Sequence, residues 1–321
     1  MTRRIKSRRT GAIVSTIATI ASVVALLISF SSPAVTAGSD GSDGGGGSGG
    51  GRRHDAPLTA REVIARIQTH IGVPRRDQTV DAFNAGDPDT VVTGIAVTMM
   101  ATLDVLQRAA AGGQNLVITH EPLFYNHQGD VSELERERDA LYIAKRDFIA
   151  AHHLVVWRFH DGWHDRRPDG ILAGMVRALG WEAYQQAGAP ERFVMPETTL
   201  GALASRIKRT LDARTLRIIG DPAMKVTKVG LQPGFTGFTR NRHLLQEEEV
   251  QVEVIGEGHE WEIGEYAADA VTAGFRKALI VIGHIPSEQA GMDECVRWMK
   301  TFVTETPVVF VPAKQPFTFV N

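Results

Sequence analysis

Cysteine is nearly absent: Cys295 is the only one in 321 residues. A disulfide framework is therefore excluded, and so is a cysteine-rich zinc site. Any metal would have to be held by His, Asp and Glu, and the chain has 11 His. Excess positive charge is missing too. The formal net charge of −2 gives no basic field for neutralising phosphates, so no nucleic-acid partner is expected. There is no Walker-type Gly-rich loop, which argues against NTP-driven chemistry. No short-period repeat is present. Hydrophobic residues at 43% and charged residues at 22% are ordinary globular usage, which rules out disorder of the whole chain.

The start of the chain differs from the rest. Arg3, Arg4, Lys6, Arg8 and Arg9 precede an apolar run from Ala12 to Phe30, which ends near Ala34-Val35-Thr36-Ala37. Basic segment, apolar segment and small-x-small end are the parts of a secretory signal peptide. A retained membrane anchor over residues 12–30 is the competing reading, because the run is just long enough to span a bilayer. No cysteine directly follows it, so lipoprotein anchoring is excluded. Gly38–Gly51 is almost entirely Gly, Ser and Asp, the composition of a flexible tether. The expected organisation is a signal peptide or anchor at 1–37, a linker at 38–56 and a folded unit at 57–321. The protein is expected to be exported, and to meet a membrane only if the first segment is retained.

Beyond the linker, apolar strand-like runs alternate with helical periodicity. Thr59 with Glu62 forms a capping box before a helix ending at Gly72. Strands are expected at 91–98, 115–119, 154–159, 216–219, 226–231, 250–255, 279–282, 307–311 and 317–320. Helices are expected at 103–111, 132–152, 171–179, 199–211, 263–273 and 287–302. Alternation of this kind predicts an α/β architecture. Pro190–Asp221 reads as an insertion between two α/β halves.

Open α/β sheets bind ligands beyond the carboxyl ends of their strands. Four expected strands end in histidine with carboxylate: His120-Glu121, His160 to Asp165, Glu257 to Glu260, and His284 to Glu288. A single such end is ordinary, but four in one domain suggest convergence on a cleft. Imidazole and carboxylate together suit Zn, Fe, Mn or Ni. Adjacent residues such as His120 and Glu121 point apart on an extended strand, so they suit two ions side by side.

At these residues the chain resembles the Nif-three-like dinuclear metal-centre family, also called GTP cyclohydrolase type-two homologues. The family's Thr-His-His-Pro corresponds to Thr119-His120-Glu121-Pro122. Its histidine followed four positions later by aspartate corresponds to His160 and His164. Its Gly-His-x-x-x-Glu is Gly283-His284-Ile285-Pro286-Ser287-Glu288. Two positions depart: Glu121 stands for a histidine and His164 for an aspartate, an exchange that keeps the ligand total. Asp161 or Asp165 could replace His164. The resemblance implies two related three-layer α/β halves, two divalent ions per chain and a homohexamer. It implies that Glu288 bridges the ions, that His120 and His164 hold one, and that Glu121 and His284 hold the other.

Glu257, beside such a centre, is a candidate general base or a hydrogen-bond acceptor for a ligating imidazole. His127 is read as a loop cap, and His54, His70, His152 and His153 are given no function. Arg240 and Arg242 are read as solvated. The function expected is metal-dependent hydrolysis of an unidentified small molecule: a phosphoester, nucleotide or cyclic amidine. The alternative is a non-catalytic metal-binding or scaffold protein. A transcription-associated partner fits poorly with export.

Overall fold

Two sheets, each built on parallel strands, carry the chain through the computed structural model, which describes residues 57–318. The expected signal peptide or anchor and the linker lie outside the described residues. Among those residues no helix is long and apolar enough to cross a membrane.

The first sheet holds β1 (Phe83–Ala85), β2 (Ile95–Thr98), β3 (Leu116–Thr119), β4 (Val155–Arg158) and β11 (Val308–Phe310), in the order β1-β4-β3-β2-β11. All but β1 run parallel. The second holds β5 (Gln185–Gln186), β6 (Ala189–Thr199), β7 (Arg217–Ile219), β8 (Lys225–Gln232), β9 (Val252–Ile255) and β10 (Ala278–Val281), in the order β5-β6-β8-β9-β10-β7. Here β8, β9 and β10 are the parallel core, and β6 and β7 flank them antiparallel. Every residue of β2, β3, β4 and β9 is buried, which explains why these strands read as unbroken apolar runs.

The helices are α1 (Ala60–His70), α2 (Leu103–Ala111), α3 (Ser132–Glu137), α4 (Ala140–Ala151), α5 (Asp161–Asp165), α6 (Gly170–Leu179), α7 (Leu200–Thr210), α8 (Phe238–Gln246), α9 (Glu265–Thr272) and α10 (His284–Met299). The Thr59–Glu62 capping box forms as expected. The long chain return is α10, which leaves β10 and leads to β11 beside β2. It packs against α6 so closely that a Cβ on Gly174 would strike the backbone at Ala290–Gly291. Through this pair, Ile171 and Met292 join the first apolar core while Met175 and Val176 join the second.

Several expectations need correction. The helix read at 132–152 is two: Arg138 adopts φ 54°, and Asp139 caps a fresh helix through the Tyr142 amide. Ser132 caps nothing; its own amide is held by Asp130. Pro190–Asp221 is not an insertion, because it supplies β6, α7 and β7 of the second sheet. Phe317 and Thr318 form no strand, and the rest of that run is outside the described residues. α10 starts at His284, not Ser287; Pro286 sits in its first turn, where its missing N–H removes no helical bond. The helix read from Ile263 begins with a π-helical turn, Glu260–Gly264, and becomes regular at Glu265.

Candidate metal centre

The carboxyl ends of β3 and β4 in the first sheet, and of β8, β9 and β10 in the second, deliver the polar residues. Backbone bonds knit the loops of the second sheet together. The Gly283 amide donates to Gly256 O at 2.8 Å, and the Glu257 amide donates to Gly234 O at 3.0 Å. Gly234 has φ +70°, and a Cβ there would collide with Glu288 Oε1. Glycine is required at that position because the backbone lies against a carboxylate.

Four imidazoles enter with the same orientation. His120 Nδ1 lies 3.1 Å from Phe159 O, His160 Nδ1 3.1 Å from Asp161 Oδ1, His164 Nδ1 2.9 Å from Asp169 Oδ2, and His284 Nδ1 3.0 Å from Glu257 Oε1. Each ring donates from Nδ1 to an oxygen, which leaves Nε2 as the nitrogen available to a cation. His120 is wholly buried and its Nε2 has no hydrogen-bond partner. The rings of His120 and His160 stack at 4.6 Å, and His164 meets both edge-on at 4.9 Å.

Two carboxylates complete the cluster. Glu288 Oε2 lies 3.0 Å from His284 Nε2 and 3.6 Å from His120 Nε2. Glu121 Oε1 lies 3.4 Å from His284 Nε2 and 3.9 Å from His160 Nε2. Two groups could hold an ion: His120, His160 and His164, and His120, Glu121 and Glu288.

The electrostatics suit a cation. Burial, then repulsion from His164, lowers His160 to about 4, and burial with the neighbouring imidazoles keeps His120 well below its ordinary value. Both are neutral near pH 7, the form that ligates. Burial would raise Glu121, but the hydrogen bond and charge of His284 outweigh it and hold the carboxyl at about 2. Burial opposes a charged His284 as well, yet Glu121, Glu257 and Glu288 together raise it to about 12. In the ion-free protein a proton on His284 offsets the carboxylates, the task a cation would otherwise perform.

The structure brings His120, Glu121, His164, His284 and Glu288 together as the sequence led one to expect. Asp161 and Asp165 are turned elsewhere. Asp161 accepts from Thr79 Oγ1 and the Val80 amide, and Asp165 accepts twice from Arg76. Glu257 sits behind His284, on the nitrogen away from the cluster, so the geometry favours the acceptor role over the general base. His127 does more than cap a loop: its Nδ1 and carbonyl meet the buried Arg158, whose guanidinium lies 3.6 Å from Glu121.

Sequence reasoning missed His160 as a ligand candidate. It immediately precedes α5 and is four residues from His164, the helical spacing that puts two side chains on one face. It also missed Asp81, whose carboxylate accepts from the amides of His160, Asp161 and Gly162. Asp81 thus supplies from a distant loop the cap that the start of α5 lacks, and no local pattern could announce it.

The sequence model of the Duf34/NIF3 family (NGG1p interacting factor 3) matches residues 61–316. A protein of Clostridium acetobutylicum named "GTP cyclohydrolase 1 type 2 homolog" is 25% identical over 207 residues, 55% of this chain and 75% of its own length. Among solved structures, a Staphylococcus aureus protein aligns over 83% of this chain and 100% of its own, with TM-score 0.64 and 16% identity. A Bacillus cereus protein related to NIF3 aligns over 82% and 99%, with TM-score 0.63 and 14% identity.

Proposed function

The chain belongs to the Duf34/NIF3 family, and from that premise we propose that it is an exported protein that binds two divalent metal ions and hydrolyses a small molecule with them. The observation that carries this reading is the common orientation of the four imidazoles. Each has an acceptor on Nδ1; on the other side of the rings, His284 Nε2 meets Glu288 Oε2 at 3.0 Å and the buried His120 Nε2 has no partner. An unpaired buried polar atom is costly unless something fills the gap.

In this reading His120, His160 and His164 would hold one ion and Glu121 and His284 the other, with Glu288 available to both. A bound pair of divalent ions supplies Lewis acidity, polarising a substrate oxygen and acidifying water. Glu257 and Asp169 hold the His284 and His164 rings in their ligating tautomers. Arg158 keeps Glu121 in place and balances its charge. Glu121 brings oxygen where relatives of the resembled family have nitrogen, which favours harder ions such as Mn or Fe at its site. The substrate class is a phosphoester, nucleotide or cyclic amidine, in line with the name of the Clostridium relative. The family resemblance supports a homohexamer, and the N-terminal sequence supports export.

The experiment is metal analysis of the purified protein, followed by a screen of the loaded protein on phosphoester and amide substrates. Turnover abolished in His284→Ala supports the enzyme. Two ions bound with no turnover on any substrate would leave a non-catalytic metal-binding protein. No bound ion under any loading condition would remove the reading altogether. Solution mass tests the hexamer, and N-terminal sequencing of extracytoplasmic protein tests export, with a mature start expected near Gly38.

A further inference from the structure

We propose that Phe235, His259 and Trp261 form a ring-stacking subsite at the rim of the metal centre, and that the substrate carries a planar heteroaromatic ring seated on it. This inference rests on the hydrolytic reading of the same site and adds the part of the substrate that the ions do not touch.

The three rings form a continuous row. Phe235 and His259 have centroids 5.2 Å apart, and His259 and Trp261 stack at 4.3 Å with planes 11° apart. The row is open to solvent: Trp261 is 69% exposed and Phe235 47%. One exposed aromatic residue needs no explanation. Three linked in series through His259, on the ligand loops, do.

One end of the row and its middle ring are tied to loops of the centre. Phe235 directly follows Gly234, the glycine whose backbone lies against Glu288. One Cα–Cα step is about 3.8 Å, so the first ring starts within a few ångströms of the carboxylate. His259 follows Glu257, the acceptor behind His284, by two residues. The Gly234 amide donates to Ser287 Oγ at 2.9 Å, and Glu262 accepts from His259 Nδ1 at 3.0 Å. The central ring is therefore held in place before any ligand arrives, and its neighbours lean on it, which lowers the ordering cost of binding.

The surroundings select a small ring over a protein surface. Glu257, Glu260 and Glu262 lie within three residues of His259 in the chain: Glu262 pairs with its ring, Glu257 with His284 and Glu260 with Arg217. Charged residues are depleted at the dry centre of protein interfaces. Beside a stacked heteroaromatic ring they are useful, because a carboxylate accepts from ring N–H and amino groups. Aromatic faces bind such rings irrespective of their identity. The inferred ligand is thus bipartite, with a ring on the row and a hydrolysable group reaching the ions.

The test compares adenosine 5′-monophosphate with ribose 5-phosphate, which has the same phosphate and no ring, by calorimetry on the metal-loaded full chain. The ring-bearing ligand is expected to bind about tenfold more tightly. Trp261→Ala should abolish that preference, leaving affinity for ribose 5-phosphate, metal content and solution mass unchanged. Trp261→Phe should restore most of it. Equal affinity for the two ligands, binding of neither, or a preference that survives in Trp261→Ala overturns the proposal. So does a change of solution mass in Trp261→Ala, which would give the rings to a second copy of the chain. Ring preference without turnover of any substrate would retain the subsite and discard the hydrolase, and turnover without ring preference would do the reverse.

Discussion

Glu121 and Glu253 are both buried carboxyl groups, yet their acidities move in opposite directions. Glu253, on β9, is wholly buried and neither of its oxygens has a partner. Burial alone raises it to about 9. Glu121 is nearly as buried, but His284 and Arg158 stand against it, and it is held at about 2. Burial penalises charge everywhere; what differs is the company. The protein keeps one acid neutral at pH 7 and another ionised at pH 3, and only the second sits where a cation could use it.

The largest break in this contrast is expected from Glu288→Ala. It removes the carboxylate lying between His120 and His284, and elemental analysis should find both ions lost. Glu253→Leu should retain both. Two ions kept in Glu288→Ala would end its bridging role.

Next in size is the pH dependence of stability in the ion-free protein. The folded pKa of Glu253 lies above its unfolded value, so the unfolded state loses its proton first. The contribution of Glu253 should therefore fall by about 1.4 kcal/mol per pH unit between about pH 4.5 and 9, superimposed on the opposite slope of His120 and His160 below about pH 6.5 and the like slope of His284 above it. Glu121 has the opposite sign: its contribution is present above about pH 4.5 and is lost as pH falls towards 2. In denaturant titrations Glu253→Gln should have an alkaline slope shallower than the wild type by about 1.4 kcal/mol per pH unit, with the remainder left to His284 and the acid slope kept. A slope unchanged in that variant would show that the acid is not the unpaired group described.

Asp169→Ala should weaken the ion held by His164 by about 10- to 100-fold, because the ring loses the acceptor that fixes its tautomer. Competition with a chelator reads this directly, and unchanged affinity would take His164 out of the ligand set. The smallest effect is Gly234→Ala. A residue with a side chain at φ +70° costs about 1–2 kcal/mol, and the methyl group presses on Glu288. Thermal unfolding should show that loss, with metal affinity reduced alongside; retention of both would mean that the loop moves freely.

The polar ends of the parallel strands were legible because two signals coincide there. An apolar run announces the strand, and a histidine–carboxylate pair follows at its carboxyl end. Together with the family resemblance, that pointed to His120, Glu121, His164, His284 and Glu288 as neighbours, and their side chains do lie close to one another. His160 was passed over as a ligand because the resemblance gives that role to the residue four positions on, although the spacing of His160 to His164 was itself a signal. Asp81 and Asp169 act through loops and a helix cap, which sequence spacing does not link to a ring elsewhere. β6 was mistaken for part of an insertion because it contains Pro190 and Pro196 and alternates poorly, as flanking strands do. The split between α3 and α4 turned on one left-handed residue, Arg138, whose side chain gives no hint of it.

The histidines and carboxylates of the centre come from both sheets: His120, Glu121, His160 and His164 follow β3 and β4, while His284 and Glu288 follow β10. An ion bound there as proposed would be a mechanical rivet between two apolar cores that also touch through α6 and α10. Its binding energy is added to their adhesion by mass action. Metal starvation would then be felt well away from the chemistry, as a melting transition that broadens when the two cores no longer come apart together.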